Sequence, residues 1–347
     1  MKKIRMKNTG SPTLEDVAEA ACVSTATISR SLNDPDKVAK ETRERIQKAV
    51  DRLGYTPNFG GRVLASNRTN TVGAIIPSMA NAMFASGLQA FQEVLAESGV
   101  TLLVASSGYD TEHEFRQIRS LMTHGADGLL LIGDERPQKT KDFLALRKIP
   151  YVISWCYSNN PDGLYVGFDN EKAAYKLTNR VLEFGHRDIA MIAGISKGND
   201  RARNRIEGVS RAVRESADGA RLTKIVEARY RLENGAEAFD EIMSASDLPT
   251  AIICGNDVLA AGAIVRARKK GVRVPDDVSI TGFDDIGLAS VVEPGLTTVR
   301  VPQIEMGQEA ARQLLRLLSN QPATSSIEIE TELVMRDSLA APKALAV

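Results

Sequence analysis

Four side chains carry the first recognisable chemistry: Thr25, Ala26, Ser29 and Arg30 share one side of a helix that Ser24 caps and whose Ile28 and Leu32 point inward. Small and hydroxyl side chains followed by an arginine suit a helix lying in the DNA major groove, where bulk would hold it off the base edges. Arg30 would then donate to guanine O6 and N7 or clamp a phosphate, and Thr25 and Ala26 could meet a thymine methyl. An ordinary helical hairpin with a solvated arginine is the competing reading. A second constellation is Arg201, Arg203 and Arg205, crowded just after a strand and followed by Gly208. Loops leaving the carboxyl ends of strands are where open α/β sheets place ligands, and arginine suits a sugar hydroxyl or a carboxylate. Asn256 and Asp284 end two other strands and suit paired hydroxyls. Trp155, the single tryptophan, also follows a strand and offers a face for stacking on a sugar. Loop capping and core packing are the alternative for Arg205, Asp284 and Trp155. Enzyme chemistry has no foothold: no G-x-G-x-x-G, P-loop or H-E-x-x-H string occurs, and His113, His124 and His186 have no partners at motif spacing.

The elements that must position these residues follow from periodicity. Leu14, Val17, Ala18 and Ala21 mark a first amphipathic helix, started by Thr13 with Asp16 three residues on, and Ala21-Cys22-Val23 turns into the second. A third helix begins near Val38, with Ile46, Val50 and Leu53 inward, Lys40, Arg43, Arg45 and Lys48 more exposed, and Gly54 as its stop. Residues 1–12 read as a basic arm, 13–56 as a helix-turn-helix domain and 57–70 as a polar hinge and linker. From Thr71 strand and helix alternate: apolar runs at Thr71–Ile76, Thr101–Ala105, Gly128–Ile132 and Tyr151–Ser154, then a second series after Leu164–Phe168 running to Val278–Thr281. This βαβ pattern predicts parallel sheets in two α/β lobes, with the helix Gln303–Leu318 and a last strand near Ile327–Met335 returning to the first.

Composition sets the bounds. A chain of 347 residues is long enough for two or three domains, and its 44 basic and 44 acidic residues cancel. The charge is nonetheless segregated, since residues 1–68 hold 13 Lys+Arg against 8 Asp+Glu and the rest 31 against 36, giving +5 and −5. Cys22, Cys156 and Cys254 are few and scattered, which predicts a reducing cytoplasm, no disulfide framework and no metal site. The basic start lacks an apolar signal core, and no run reaches membrane-spanning length. No cofactor is expected.

The chain resembles the lac repressor (LacI/GalR) family of bacterial transcription regulators over nearly its entire length. The motifs are Thr13-Leu14-Glu15-Asp16-Val17-Ala18, Val23-Ser24, Thr27-Ile28-Ser29-Arg30, Thr42-Arg43-Glu44-Arg45-Ile46 and Leu53-Gly54-Tyr55-Thr56-Pro57-Asn58, then Gly255-Asn256-Asp257, Val274-Pro275-Asp276-Asp277-Val278-Ser279, Gly282-Phe283-Asp284-Asp285 and Leu296-Thr297-Thr298-Val299. The resemblance implies a small all-α helix-turn-helix headpiece and an α/β two-lobed sensor similar to periplasmic sugar-binding proteins, with three crossovers. The sensor would span 71–340, its first lobe about 71–167 and 300–331 and its second about 168–299 and 332–340. The implied partners are a double-stranded DNA operator, a small sugar or sugar-acid effector and a second copy of the chain, as dimer or tetramer. Thr25 and Ala26 occupy positions that read bases in that family, and Leu64 matches a leucine wedged into the minor groove; Ser29, Arg30 and Asn58 are further candidate DNA contacts, and Lys37, Lys40 and Arg62 are candidate phosphate contacts or simply a solvated face. Arg205, Asn256 and Asp284 match ligand-binding positions of that family, and Ser78, Phe84 and Trp155 are further candidate effector contacts. Fragments such as Asn81-Ala82-Met83-Phe84 and Ser107-Gly108-Tyr109-Asp110 look most like gluconate-type repressors, and three neighbouring arginines favour an anionic, gluconate-like effector. Control by a nucleobase or a protein partner, or a sugar-binding transport role, are the alternatives. Cys22 departs from the usual turn glycine, Gly60-Gly61 from the usual hinge alanine, and Ala39 from the usual serine cap.

Overall fold

The computed structural model describes residues 12–33, 35–56, 68–322 and 325–343, and the chain divides into two compact units, Met1–Thr69 and Asn70–Val347. In the first, α1 (Leu14–Ala21), α2 (Thr25–Asn33) and α3 (Lys40–Leu53) surround a small core of Val17, Ala18, Ala21, Ile28, Ile46, Ala49 and Tyr55. Thr13 and Asp16 form the reciprocal cap foreseen for α1: the Asp16 N–H donates to Thr13 Oγ1 and the Thr13 N–H to Asp16 Oδ2. Ser24 Oγ likewise accepts from the Thr27 N–H at 3.2 Å. Ala39 leaves α3 without a side-chain cap. Leu32 corrects the expected pattern, standing 37% exposed, because Ile28 alone fills the space that so small a bundle offers to α2.

Cys22 ends α1 in the left-handed region at φ 54°, with the Val23 N–H reaching back to the Ala18 carbonyl. A side chain there costs about 1 kcal/mol that glycine avoids. Cys22→Gly should therefore slow amide exchange at Val17 and Ile28 about fivefold in the full chain. Unchanged exchange would show that the turn is not strained.

The second unit holds two parallel sheets. The first has six strands, β1 (Thr71–Ile76), β2 (Thr101–Ser106), β3 (Gly128–Ile132), β4 (Tyr151–Ser154), β5 (Tyr165–Gly167) and β11 (Ile327–Glu328), in the order β11-β5-β4-β3-β1-β2. The second has four, β6 (Asp188–Gly194), β7 (Arg221–Ala228), β8 (Ala251–Cys254) and β9 (Ser279–Thr281), in the order β7-β6-β8-β9. Central strands such as TVGAII and GLLLI are buried throughout, as helices on both faces require, whereas the edge strands β2 and β7 stay partly exposed. The helices of the first sheet are α4 (Ala82–Glu97), α5 (Thr111–Thr123), α6 (Gln138–Leu146) and α12 (Gln303–Leu318). Those of the second are α7 (Asn170–Glu183), α8 (Asp200–Glu215), α9 (Leu232–Met243), α10 (Asp257–Lys269) and the short α11 (Leu288–Val291).

The single strand expected near 327–335 is two: β11 closes the first sheet, while β12 (Glu332–Val334) pairs antiparallel with β10 (Thr298–Arg300) beside the second. The chain thus passes from one sheet to the other after β5, after β10 and after β11. Both sheets turn their carboxyl-terminal strand ends toward one cleft, crossed by Asp200, Arg201 and Arg203 of α8.

Candidate functional site

In the headpiece, α2 presents Thr25, Ala26 and Arg30 exposed and Ser29 half-buried, while Ile28 anchors the opposite side in the core with none of its surface exposed. Lys37 is exposed in the short 3-10 turn Pro35–Lys37 that follows. Asn58, Arg62, Leu64 and the two hinge glycines lie outside the described residues.

In the sensor, Arg205 and Asp284 are brought together. Arg205 leaves the inner face of α8 and is 4% exposed; Asp284 follows β9 and is 1% exposed. The Arg205 Nη2 donates to Asp284 Oδ1 at 3.4 Å, Nη1 to the Gly255 carbonyl at 2.6 Å and Nε to Asn170 Oδ1 at 2.9 Å, while the guanidinium carbon lies 3.7 Å from the Phe283 ring centre. Phe283 in turn stacks on Phe168. Burial pushes the Asp284 carboxyl up to about 7, with Arg205 pulling the other way. Asp257, 29 residues from its partner Ile286, accepts the Ile286 N–H and the Thr298 hydroxyl, and burial raises it to about 8. It holds the backbone that carries Asp284 in place. Tyr109, Trp155 and Asp284, each just past a strand, have φ of 62°, 61° and 111°; such strain costs about 1–3 kcal/mol per residue and collects at ligand sites.

The other two arginines of the cluster face elsewhere. Arg201 Nη1 donates to Asp200 Oδ1 and, across the cleft, to the Ile132 carbonyl, while Asp200 Oδ2 accepts the Asp134 N–H at 2.8 Å. A β-carbon on Gly133 would stand 1.6 Å from Arg201 Nη1, so this crossing requires glycine. Arg203 pairs with Glu135 at 2.8 Å. Both therefore tie the second lobe to the first. At the mouth, Tyr109 of the first lobe meets Tyr230 of the second with ring centres 5.8 Å apart. They line a chamber of about 480 Å³ with Ser78, Asn81 and Asn199.

Two family descriptions match this chain: bacterial regulatory proteins, lacI family, over residues 13–58, and a periplasmic binding protein-like domain over 178–339. The HTH-type transcriptional repressor CytR of Escherichia coli K12 is 32% identical over 327 residues, covering 94% of this chain and 96% of its own. PurR of Salmonella newport is 34% identical over 331 residues, covering 94% and 97%. The crystal structure of the lac repressor dimer bound to operator and the anti-inducer ONPF superposes with a TM-score of 0.84 at 25% identity, covering 96% of this chain and all of that one.

The chain belongs to the lacI family. This lacI-family protein is a DNA-binding transcriptional repressor with a ligand-binding domain, not an enzyme, and no described helix is long and apolar enough to cross a membrane.

Of the effector contacts expected from its sequence, Arg205 and Asp284 pair directly and Ser78 lines the chamber. Asn256 caps α10 through Oδ1, leaving its buried Nδ2 without a partner among the described residues. Trp155 and Phe84 pack on each other at 5.6 Å, and the indole is pressed against Gly87 of α4, so its stacking surface is used inside the first lobe. Its carbonyl nevertheless accepts from Asn170 Nδ2, which links it to Arg205. Tyr109, Tyr230, Asn170 and Asn199 were missed. Applying the strand-end rule to β2 and β7 as well would have found the two tyrosines.

Proposed function

We propose that this repressor works in the cytoplasm as a homodimer on a near-palindromic operator, and that a small sugar or sugar acid bound between the lobes of its sensor controls that binding. The observation that carries the reading is the buried Arg205–Asp284 pair, 79 residues apart in sequence, in which Asn170 and Gly255 fix the arginine on α8 against the aspartate that follows β9. Such a pair offers guanidinium donors and a carboxylate acceptor side by side, which matches vicinal hydroxyls. Ligand closing the lobes would shift the population of operator-competent dimers in proportion to its differential affinity for the two states. With Arg201 and Arg203 engaged across the cleft, the preference for a gluconate-like anion rests on Arg205 and on the cations at the mouth. A nucleobase is the second reading, favoured by the stacking surfaces of Tyr109 and Tyr230.

A thermal-shift screen of the full chain against sugars, sugar acids and nucleobases tests this. A ligand at 100 times its Kd stabilises by about 2.7 kcal/mol, and each hit should change operator affinity. Stabilisation by nucleobases alone would replace the sugar reading. No hit in any class would favour control by a protein partner.

A further inference from the structure

The chamber outside the tyrosine pair has an unbalanced charge. Its lining includes three cations, Lys197 from the loop after β6 and Arg229 and Arg231 from the segment between β7 and α9, and no carboxylate. All three are exposed, and none makes an ion pair among the described residues. Several other arginines of the second lobe, Arg187, Arg211, Arg221 and Arg273 among them, do have acidic partners. The carboxylates nearest in sequence are committed elsewhere. Glu227 accepts the Ser196 N–H at 2.9 Å and its hydroxyl at 2.8 Å, and Glu233 lines a separate groove with Leu232 and Asp240.

Three like charges held around one cavity repel one another and are relieved by a dianion. A single carboxylate engages one guanidinium, whereas a phosphate monoester presents three terminal oxygens and close to two charges at pH 7. The chamber, about 480 Å³, is large enough for a monosaccharide phosphate. Its polar wall of Ser78, Asn81 and Asn199 leads inward to Tyr230, whose phenol lies within the field of Arg205.

We propose that the effector is a phosphorylated sugar, its phosphate held by Lys197, Arg229 and Arg231 and its hydroxyls directed at the Arg205–Asp284 pair. This rests on the reading of the cleft as the effector site and adds the chemical class of the ligand.

The test is calorimetric titration of the full chain with a panel of hexose and pentose phosphates, the same sugars without phosphate, gluconate and inorganic phosphate. At least one sugar phosphate should bind, and should bind about 10- to 100-fold more tightly than its parent sugar. The variant with Lys197, Arg229 and Arg231 all changed to alanine should lose that preference while keeping wild-type affinity for operator. Gluconate or a neutral sugar as the tightest ligand, or a preference for phosphate that survives the triple change, overturns the proposal. So does the absence of binding by every phosphate in the panel. Inorganic phosphate alone binding, equally in both proteins, would mark an adventitious anion and overturn it too. Arg205→Gln separates the two levels: a sugar phosphate bound undiminished by Arg205→Gln removes the cleft reading itself, whereas binding lost in Arg205→Gln but kept in the triple variant removes only the phosphate proposal.

Discussion

Arg205→Ala abolishes the response to effector and leaves operator affinity within a few-fold of wild type. Three interactions disappear together, to Asp284, Asn170 and the Gly255 carbonyl, all from a side chain 4% exposed. Asp284, Asn170 Oδ1 and the Gly255 carbonyl are left as buried acceptors without their donor, and each such unsatisfied group costs about 1–3 kcal/mol. The sensor should therefore melt earlier as well as bind nothing. Operator binding is the control, since the headpiece is a separate compact unit with its own core. Full effector response in the variant would place the pocket elsewhere.

Asp284→Asn separates charge from shape at the same site, because the amide keeps one acceptor for Arg205. The Asp284 carboxyl is raised from 3.8 to about 7, so the folded state holds its proton more firmly than the unfolded chain. The resulting stability is fully present below about pH 4 and is lost as pH rises through about 7. Between pH 5 and 8 the wild type should lose more stability than Asp284→Asn, read by chemical denaturation at the two pH values. Parallel losses would show that Asp284 is ionised throughout.

Arg30→Ala weakens operator binding by about 1–3 kcal/mol and relaxes specificity at one position in each half-site. The side chain is exposed on α2, whose anchor Ile28 is fully buried, so the headpiece fold should be unaffected. Wild type and variant are compared across an operator library at several salt concentrations. Uniform weakening with a shallower salt dependence would make Arg30 a phosphate contact. Equal binding by both proteins would remove it from the interface.

Much of this protein was legible along the chain. The spacing of Leu14, Val17, Ala18 and Ala21, the Thr13 cap and the buried runs of β1 and β3 are local patterns, set by helical or extended periodicity within a few residues. They placed the headpiece, the alternating sensor elements and the side of α2 that faces outward. What each arginine of α8 does was not local. Arg201 meets Ile132 across 69 residues, Arg203 meets Glu135 across 68 and Arg205 meets Asp284 across 79, so of three side chains of one type at alternate positions two join the lobes and one is turned into the second lobe. Successive residues of a helix point about 100° apart, and only the packing of two lobes decides which direction meets a strand end and which meets the other lobe. The same holds for Trp155, which the strand-end rule put at the cleft and which Phe84 and Gly87 draw into the first lobe. Leu32 shows the limit from the other side: its spacing from Ile28 satisfies the helical rule, yet it is exposed, because periodicity names a face and only a neighbouring element can cover it.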